Sequence, residues 1–316
     1  MYQLHIRERC PACETSRYKI VYSCDFLHDP VVQFIKSKFV GGEIFSYLEG
    51  YSYTLVECLS CGLIYQTNIP SAEFASRIYN DWLNNDSMQE MIDHGGKQIS
   101  LLMAGNYLQD TAKVLSYIAA LPHEIDMLDY GMGWGRWCLA GKALGCNVYG
   151  FDLSDVRNEY ARSNGIALVD GATLGGRYYD YINTEQVLEH VQNPLEMTRF
   201  LAGALKPGGI LKISVPDGSH VKRGIENIRW GDGRRWSGFR KFLMPITPLI
   251  HINTFSPHSI RVMAQSAGLE EVGIPLRHDF ALVPMLSVRE ALRNTLRPIY
   301  RKLVPTTRLF FRKPGL

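Results

Sequence analysis

The sequence is short of several things, and each shortage removes a class of protein. Its 316 residues contain no apolar run of 18 or more, so no segment has the length of a membrane-spanning helix. The opening residues, MYQLHIRERC, lack the basic-then-apolar layout of a secretory leader, which points to a cytoplasmic protein. No internal repeat is present, which excludes solenoids and propellers. Net charge is small, +3, so no strong overall field selects a partner. Cysteine is sparse at seven, and Cys24, Cys138 and Cys146 follow no pattern. What remains, 46% hydrophobic and 21% charged residues, is ordinary for a globular chain of one large domain or two modest ones.

The remaining cysteines do follow a pattern. Cys10/Cys13 and Cys58/Cys61 are two CxxC pairs, which in a reducing compartment read as metal ligands before disulfides. Four thiolates close a tetrahedral zinc ion completely, so the ion is expected to be structural. The 44 residues between the pairs exceed the usual ribbon spacing, so an inserted subdomain is expected. Four reduced structural cysteines are the plainer reading. The modest net charge also conceals an uneven spread: residues 287–316 carry +7 and the preceding 286 carry −4. A second basic stretch runs from Lys222 to Lys241, with seven cations against two acids. Both suggest an anionic partner.

Four regions follow along the chain. Residues 1–70 hold the cysteine pairs and strand-like segments such as TLVEC and GLIYQT. Residues 71–123 read as a helical cap, with Ser71 as an N-cap, a break near Gly95-Gly96, and Pro122 closing it. From residue 124 to 286 strand and helix alternate. IDMLDYG, NVYGFDL, IALVDG, YDYINTEQ and ILKISVP read as strands, and WCLAGKALG, DVRNEYARSNG and PLEMTRFLAGAL as helices between them. Such alternation specifies an α/β fold: a Rossmann-like parallel sheet with helices on both faces. An irregular insertion at about 217–256 interrupts it. A helix SPHSIRVMAQSAG capped by Ser256 follows, then two closing strands in LEEVGIPLR and FALVPML. Residues 287–316 are a basic tail.

The informative turn is LDYGMGWGR, between the first strand and its helix. Gly131, Gly133 and Gly135 permit a tight turn and close approach of a ligand to the backbone. Asp152, 17 residues beyond Gly135 at the tip of the second strand, is placed to accept hydrogen bonds from ribose hydroxyls. The spacing is G-x-G-x-G, not the G-x-G-x-x-G of a dinucleotide site. Preceded by Asp129, it suits a ligand without a pyrophosphate but with a cationic amino group.

From about Ser71 to Pro284 the chain resembles the class I S-adenosylmethionine-dependent methyltransferases. LDYGMGWGRW resembles their first motif, GFDLS their second, and YDYINTEQVLEHVQNPLEMTRFLAGALKPGGILKISVPD their block from fourth to fifth strand. The resemblance implies S-adenosylmethionine as cofactor, held by Asp129, the three glycines and Asp152. It places Asp170 near the adenine and Gln186 near the methionine moiety. The turn departs from the family at Tyr130-Gly131-Met132, where a small residue and cysteine are commoner around the glycine, and at Trp134, where a small residue is usual. CLSCGLIYQTNIPSAEFASRIYNDWL further resembles a zinc-bearing subset acting in sugar biosynthesis. That implies a sugar, nucleotide-sugar or lipid-linked glycan acceptor, by analogy alone.

Methyl transfer to oxygen or carbon needs a base for the acceptor's proton, and histidine has the appropriate pKa. His190, in VLEHV after the fourth strand, and His251, in LIHINTFSP, both qualify. The second segment resembles the family's EH-x-x-x-F-[ST]-P element, with Ile250 in place of the acid. A helix-orienting role is the plainer reading of either. The stretch KRGIENIRWGDGRRWSGFRKF has the arginines and aromatics of a lid over a phosphorylated sugar, or of a solvated loop. Nucleic acid ranks lower, with no RNA-binding module present. The basic tail either packs on the domain or lies peripherally on an anionic membrane. The competing readings are a methyltransferase for another small molecule or RNA, and a non-catalytic zinc-containing scaffold.

Overall fold

The computed structural model describes residues 3–39, 42–82, 107–225, 244–282 and 306–315, together with residues 292, 295, 296, 299 and 300. Contacts divide the chain into two compact units that do not follow its linear order. The first comprises Met1–Met88, Leu188–Met197 and Val215–Met263; the second comprises Gln89–Val187, Thr198–Ser214 and Ala264–Leu316.

The first unit begins with β1 (Leu4–Ile6), β2 (Tyr18–Asp25), α1 (Val31–Lys38), β3 (Ser52–Cys58), β4 (Ile64–Gln66), β5 (Asn68–Pro70) and α2 (Ala72–Arg77). β1 pairs with β5, and β2, β3 and β4 form an antiparallel meander. The fourth strand of that sheet, β11 (Asn253–Thr254), comes from the insertion and pairs with β4, Asn253 opposite Tyr65. Period-two patterning makes β3 a strand: Tyr53 and Leu55 point to the core while Ser52 and Thr54 are half-buried. They pack with Phe26, Phe34, Ile35, Phe74 and Trp82, and with Val221, Ile246 and Ile250 of the insertion. Each such side chain contributes roughly 1.5–3 kcal/mol on burial. Ser71 caps α2 as expected, its Oγ accepting from Phe74 N–H at 3.2 Å.

The second unit is a seven-stranded sheet in the order β12-β13-β10-β9-β6-β7-β8. Its parallel strands are β6 (Asp126–Tyr130), β7 (Asn147–Phe151), β8 (Ala167–Leu168), β9 (Tyr179–Glu185) and β10 (Leu205–Ser214). Helices α3 (Tyr107–Ile118), α4 (Arg136–Ala143), α5 (Asp155–Ser163) and α6 (Pro194–Gly203) connect or flank them. α3 buries Leu108, Thr111, Ala112 and Leu115, the stripe expected of an amphipathic helix. After β6 the chain winds outward through β7 and β8, then returns to place β9 on the other side of β6. In such sheets the reversal opens a crevice outside the carboxyl ends of the two strands. The α/β architecture read from the sequence is therefore the one observed.

Three details differ from expectation. FALVPML is not a strand over its described residues: Leu276–Phe280 is a 3-10 helix. The second closing strand is instead β13 (Arg308–Arg312), drawn from the presumed tail and antiparallel to both β10 and β12 (Glu270–Glu271). The insertion contributes α7 (Val221–Ile225) and β11 to the first unit and is not irregular throughout. The helix after β11, α8 (Pro257–Ser266), carries its expected cap: Ser259 N–H donates to Ser256 Oγ at 3.2 Å. The expected break at Gly95-Gly96 and most of the arginine-aromatic stretch lie outside the described residues.

Candidate active site

All seven residues expected to hold the cofactor lie in the second unit, at the carboxyl edge of its parallel strands. Gly131, Gly133 and Gly135 have φ of +75°, +54° and +67°, where side chains are strained. Their surroundings differ. A Cβ on Gly131 would come within 2.5 Å of Val187 Cγ2, and one on Gly135 within 2.7 Å of Ile166 Cδ1. A Cβ on Gly133 would meet nothing within 4 Å. Gly131 is thus crowded by a branched side chain and Gly135 by the movable end of one, while Gly133 borders open space. Asp152 stabilises that turn: Oδ2 accepts from Gly133 N–H at 2.9 Å and Oδ1 from Ser154 N–H at 3.0 Å. Arg157 lies 3.4 Å from Oδ1. Each carboxylate oxygen has two lone pairs, so acceptor capacity remains for ribose hydroxyls. Gln186, at the tip of β9, is exposed and held at φ +58°, a rare conformation for a non-glycine residue that clusters at functional sites. Asp170 is also exposed, but its Oδ1 accepts from Ala172 and Thr173 N–H, each at 3.0 Å, within its own turn.

Asp129 is fully buried, and burial pushes its carboxyl up to about 7. Two neighbours oppose that rise. Asn183 Nδ2 donates to Asp129 Oδ1 at 2.6 Å, and Asn183 Oδ1 accepts from Lys212 Nζ at 2.9 Å. Lys212 also donates to Glu185 Oε2 at 2.7 Å and lies 3.4 Å from the centroid of the Trp137 ring. Burial pulls Lys212 down to about 8 despite Glu185. Arg308 of β13 lies 4.0 Å from Glu185 and pairs with Asp110 of α3. The sequence reading missed this network. Its signal was a lysine inside ILKISV, a run otherwise suited to a strand buried on both faces. An open approach over Gly133 and a buried carboxylate beside it fit a nucleoside with a cationic tail, so the residues suit S-adenosylmethionine.

In the first unit the four paired cysteines converge. Cys10 and Cys61 Sγ are 3.5 Å apart, as are Cys13 and Cys58, and all four sulfurs lie within 4.8 Å of one another. A tetrahedral zinc ion with 2.3 Å bonds sets its sulfurs roughly 3.8 Å apart. Cys61 and Ser60 N–H both point at Cys58 Sγ at 3.4 Å, and Gly62 follows at φ +71°. Hydrogen bonding from Cys61 brings the Cys10 thiol down to about 6, so one thiolate is already favoured.

The two candidate bases also meet in the first unit, their ring centroids 4.8 Å apart. His190 Nδ1 lies 2.9 Å from Ile250 O and His251 Nδ1 beside Met244 O. A carbonyl only accepts, so each Nδ1 carries the proton and each Nε2 presents a lone pair. Burial, with His251 nearby, pulls His190 down to about 3, and burial lowers His251 as well. Both rings are therefore neutral at pH 7. Two neighbours were missed by sequence reading. Tyr79 Oη is 2.7 Å from His190 Nδ1, and buried Glu189 lies 3.8 Å from His190 Nε2. Glu189 supplies in space the acid that Ile250 lacks in sequence; its carboxylate and the two imidazoles present donor atoms within 4.8 Å of one another. Arg7 anchors both segments, bonding Asn253 Oδ1 at 2.8 Å and the Gln192 carbonyl at 2.5 Å.

The chain matches the sequence profile of a methyltransferase domain over residues 103–273. It is 29% identical over 167 residues to a ubiquinone biosynthesis O-methyltransferase of Nitrosomonas europaea, covering 48% of this chain and 66% of that one. A protein of the same name from Bordetella avium is 31% identical over 94 residues, covering 26% and 39%. The chain thus spans less than two thirds of either curated relative. Among solved structures, the plantazolicin methyltransferase BpumL, in complex with SAH and a substrate analogue, aligns at 14% identity and TM-score 0.46, over 76% of this chain and 93% of that one. An S-adenosylmethionine-dependent methyltransferase from Mesorhizobium loti aligns at 17% identity and TM-score 0.41, over 63% and 95%. With more than half of its length matched by that profile, the chain belongs to the methyltransferase domain family.

Proposed function

We propose that this chain uses S-adenosylmethionine to methylate a hydroxyl or carbon acid of a sugar, nucleotide-sugar or lipid-linked glycan, with His251 as base. One observation carries the base: two neutral imidazoles, each with Nδ1–H on a backbone carbonyl, which leaves Nε2 as the unprotonated nitrogen. The cofactor supplies the electrophilic methyl group; the protein's part is to align the acceptor and remove its proton. Asp129, Gly133 and Asp152 are the residues to bind the cofactor. A ring held near 3 is too weak a base for a hydroxyl proton, which favours His251 over His190. Tyr79 and Glu189 then orient the pair.

The sugar class rests on the resemblance of the CLSCGLIY segment, and the same resemblance supports structural zinc on Cys10, Cys13, Cys58 and Cys61. The basic residues of 289–302, with Leu292, Leu296 and Tyr300 exposed, support peripheral contact with an anionic membrane. A second acceptor class, a phenolic hydroxyl, is favoured by the relatives named for ubiquinone biosynthesis.

The test is a labelled methyl donor offered with a panel of nucleotide sugars and catechols. Label on the sugars supports the reading, and label on catechols alone overturns it. His251→Ala is expected to lower turnover about 10²–10⁴-fold with cofactor affinity retained. Undiminished turnover would remove His251 from the mechanism.

A further inference from the structure

Lys212 is a fully buried cation in the middle of a parallel strand, a costly placement that hydrophobic packing alone would not select. Its ammonium is fully engaged: one hydrogen to Asn183, one to Glu185, and the third toward the Trp137 ring. The asymmetry at Asn183 is informative. Its amide can face Asp129 in either of two ways, carbonyl first or N–H first. With Lys212 on the carbonyl oxygen, only the N–H is left to face Asp129.

We propose that Lys212 is a positioning residue of the cofactor site: its ammonium fixes the Asn183 amide with N–H toward Asp129 and thereby favours the carboxylate form of Asp129, the form that meets a cationic amino group. The inference rests on the reading of Asp129 as a cofactor residue. Every charged group around the pair takes part. On β9, Asn183 and Glu185 face Lys212, and β13 and α3 bring Arg308 and Asp110. Around Asp129, the negative charges of Glu185 and Asp152 oppose ionisation, and Cys138 Sγ of α4 lies 3.9 Å away as a neutral thiol. Lys212 is the positive charge that offsets them.

The sign follows. Without Lys212, Asp129 loses a favourable charge and the enforced N–H partner, so its titration midpoint rises from about 7. A rise of about one unit cuts the ionised fraction at pH 7 about fivefold and weakens binding by the same factor. Above pH 8.5 the difference closes, because Asp129 ionises in both proteins and Lys212 itself releases its proton at about 8.

The experiment measures S-adenosylhomocysteine binding by calorimetry from pH 6 to 9 for wild type and Lys212→Met. Alongside it, the Asp129 carboxyl is titrated by carbon NMR in the ligand-free proteins. Expected are a raised Asp129 midpoint and about fivefold weaker binding at pH 7 that recovers at pH 9. Should Lys212→Met fail to fold, Asn183→Ala breaks the relay with the lysine intact, and the same shift is expected. A folded variant with an unmoved Asp129 midpoint overturns the proposal. If wild type binds no S-adenosylhomocysteine at any pH, the cofactor reading fails, and the NMR titration still decides the role of Lys212.

Discussion

At the scale of single residues, three glycines that look equivalent in a motif have different work to do. Gly131 and Gly135 are hemmed in by Val187 and Ile166, whereas Gly133 faces open space. Gly131→Ala is therefore expected to destabilise the fold by about 1–3 kcal/mol through overpacking and strain. Gly133→Ala is expected to leave the melting temperature lowered only by its positive φ, while weakening S-adenosylhomocysteine binding at least as much. Thermal denaturation beside calorimetry separates the two. Equal loss of affinity in both, with equal loss of stability, would refute the distinction. The sequence disclosed the turn and Asp152 because both are local patterns. It did not disclose Tyr79 beside His190 or Lys212 behind Asn183 and Asp129, because those are meetings of residues far apart in the chain.

At the scale of elements, β13 marks where sequence reading went astray. RLFFR has an arginine at each end, and counting charge makes it part of a basic tail. Each arginine in fact finds a partner, Arg308 in Asp110 and Arg312 in Tyr117, so the flanking charge does not prevent burial of Leu309, Phe310 and Phe311 between. FALVPML, the more apolar run, is not a strand over its described residues: hydrophobicity alone does not establish pairing. Phe311 is wholly buried, opposite Leu211 of β10 and Glu271 of β12. Phe311→Ala is expected to cost about 3–5 kcal/mol by urea unfolding. A cost under 1 kcal/mol, the range of a surface substitution, would show that β13 is dispensable to the sheet. The cysteine pairs were the opposite case, legible because metal ligation imposes its own spacing. Cys61→Ser, or a strong chelator, is expected to remove one zinc ion per chain by elemental analysis and to lower the melting temperature with it. A protein prepared without metal and equally stable would leave the four thiols a purely structural cluster.

For the molecule as a whole, the linear boundaries drawn from sequence did not anticipate that each compact unit is assembled from three segments. Composition and motif order change gradually along a chain, whereas compactness depends on contacts between segments distant in sequence. Global stability should also report on His190. Its folded value is about 3, against 6.5 for an unperturbed histidine. Above pH 6.5 the ring is neutral in both states and its contribution is complete. As pH falls from 6.5 toward 3 only the unfolded chain takes up that proton, so stability drops by about 1.4 kcal/mol per pH unit. Urea unfolding at pH 7.5, 6 and 5 should show a slope shallower by about one proton in His190→Gln than in wild type. Identical slopes would mean the ring is solvated in the native state.

The order of the seven strands has a last consequence, for behaviour in a crowded solution. Its outermost members are β8 and β12, each two residues long, and β12 consists of Glu270 and Glu271, both exposed. So short a rim offers a passing polypeptide almost no free backbone to dock on, and two adjacent carboxylates repel another copy of themselves. The longer inner strands are thereby kept from recruiting neighbours into a growing aggregate.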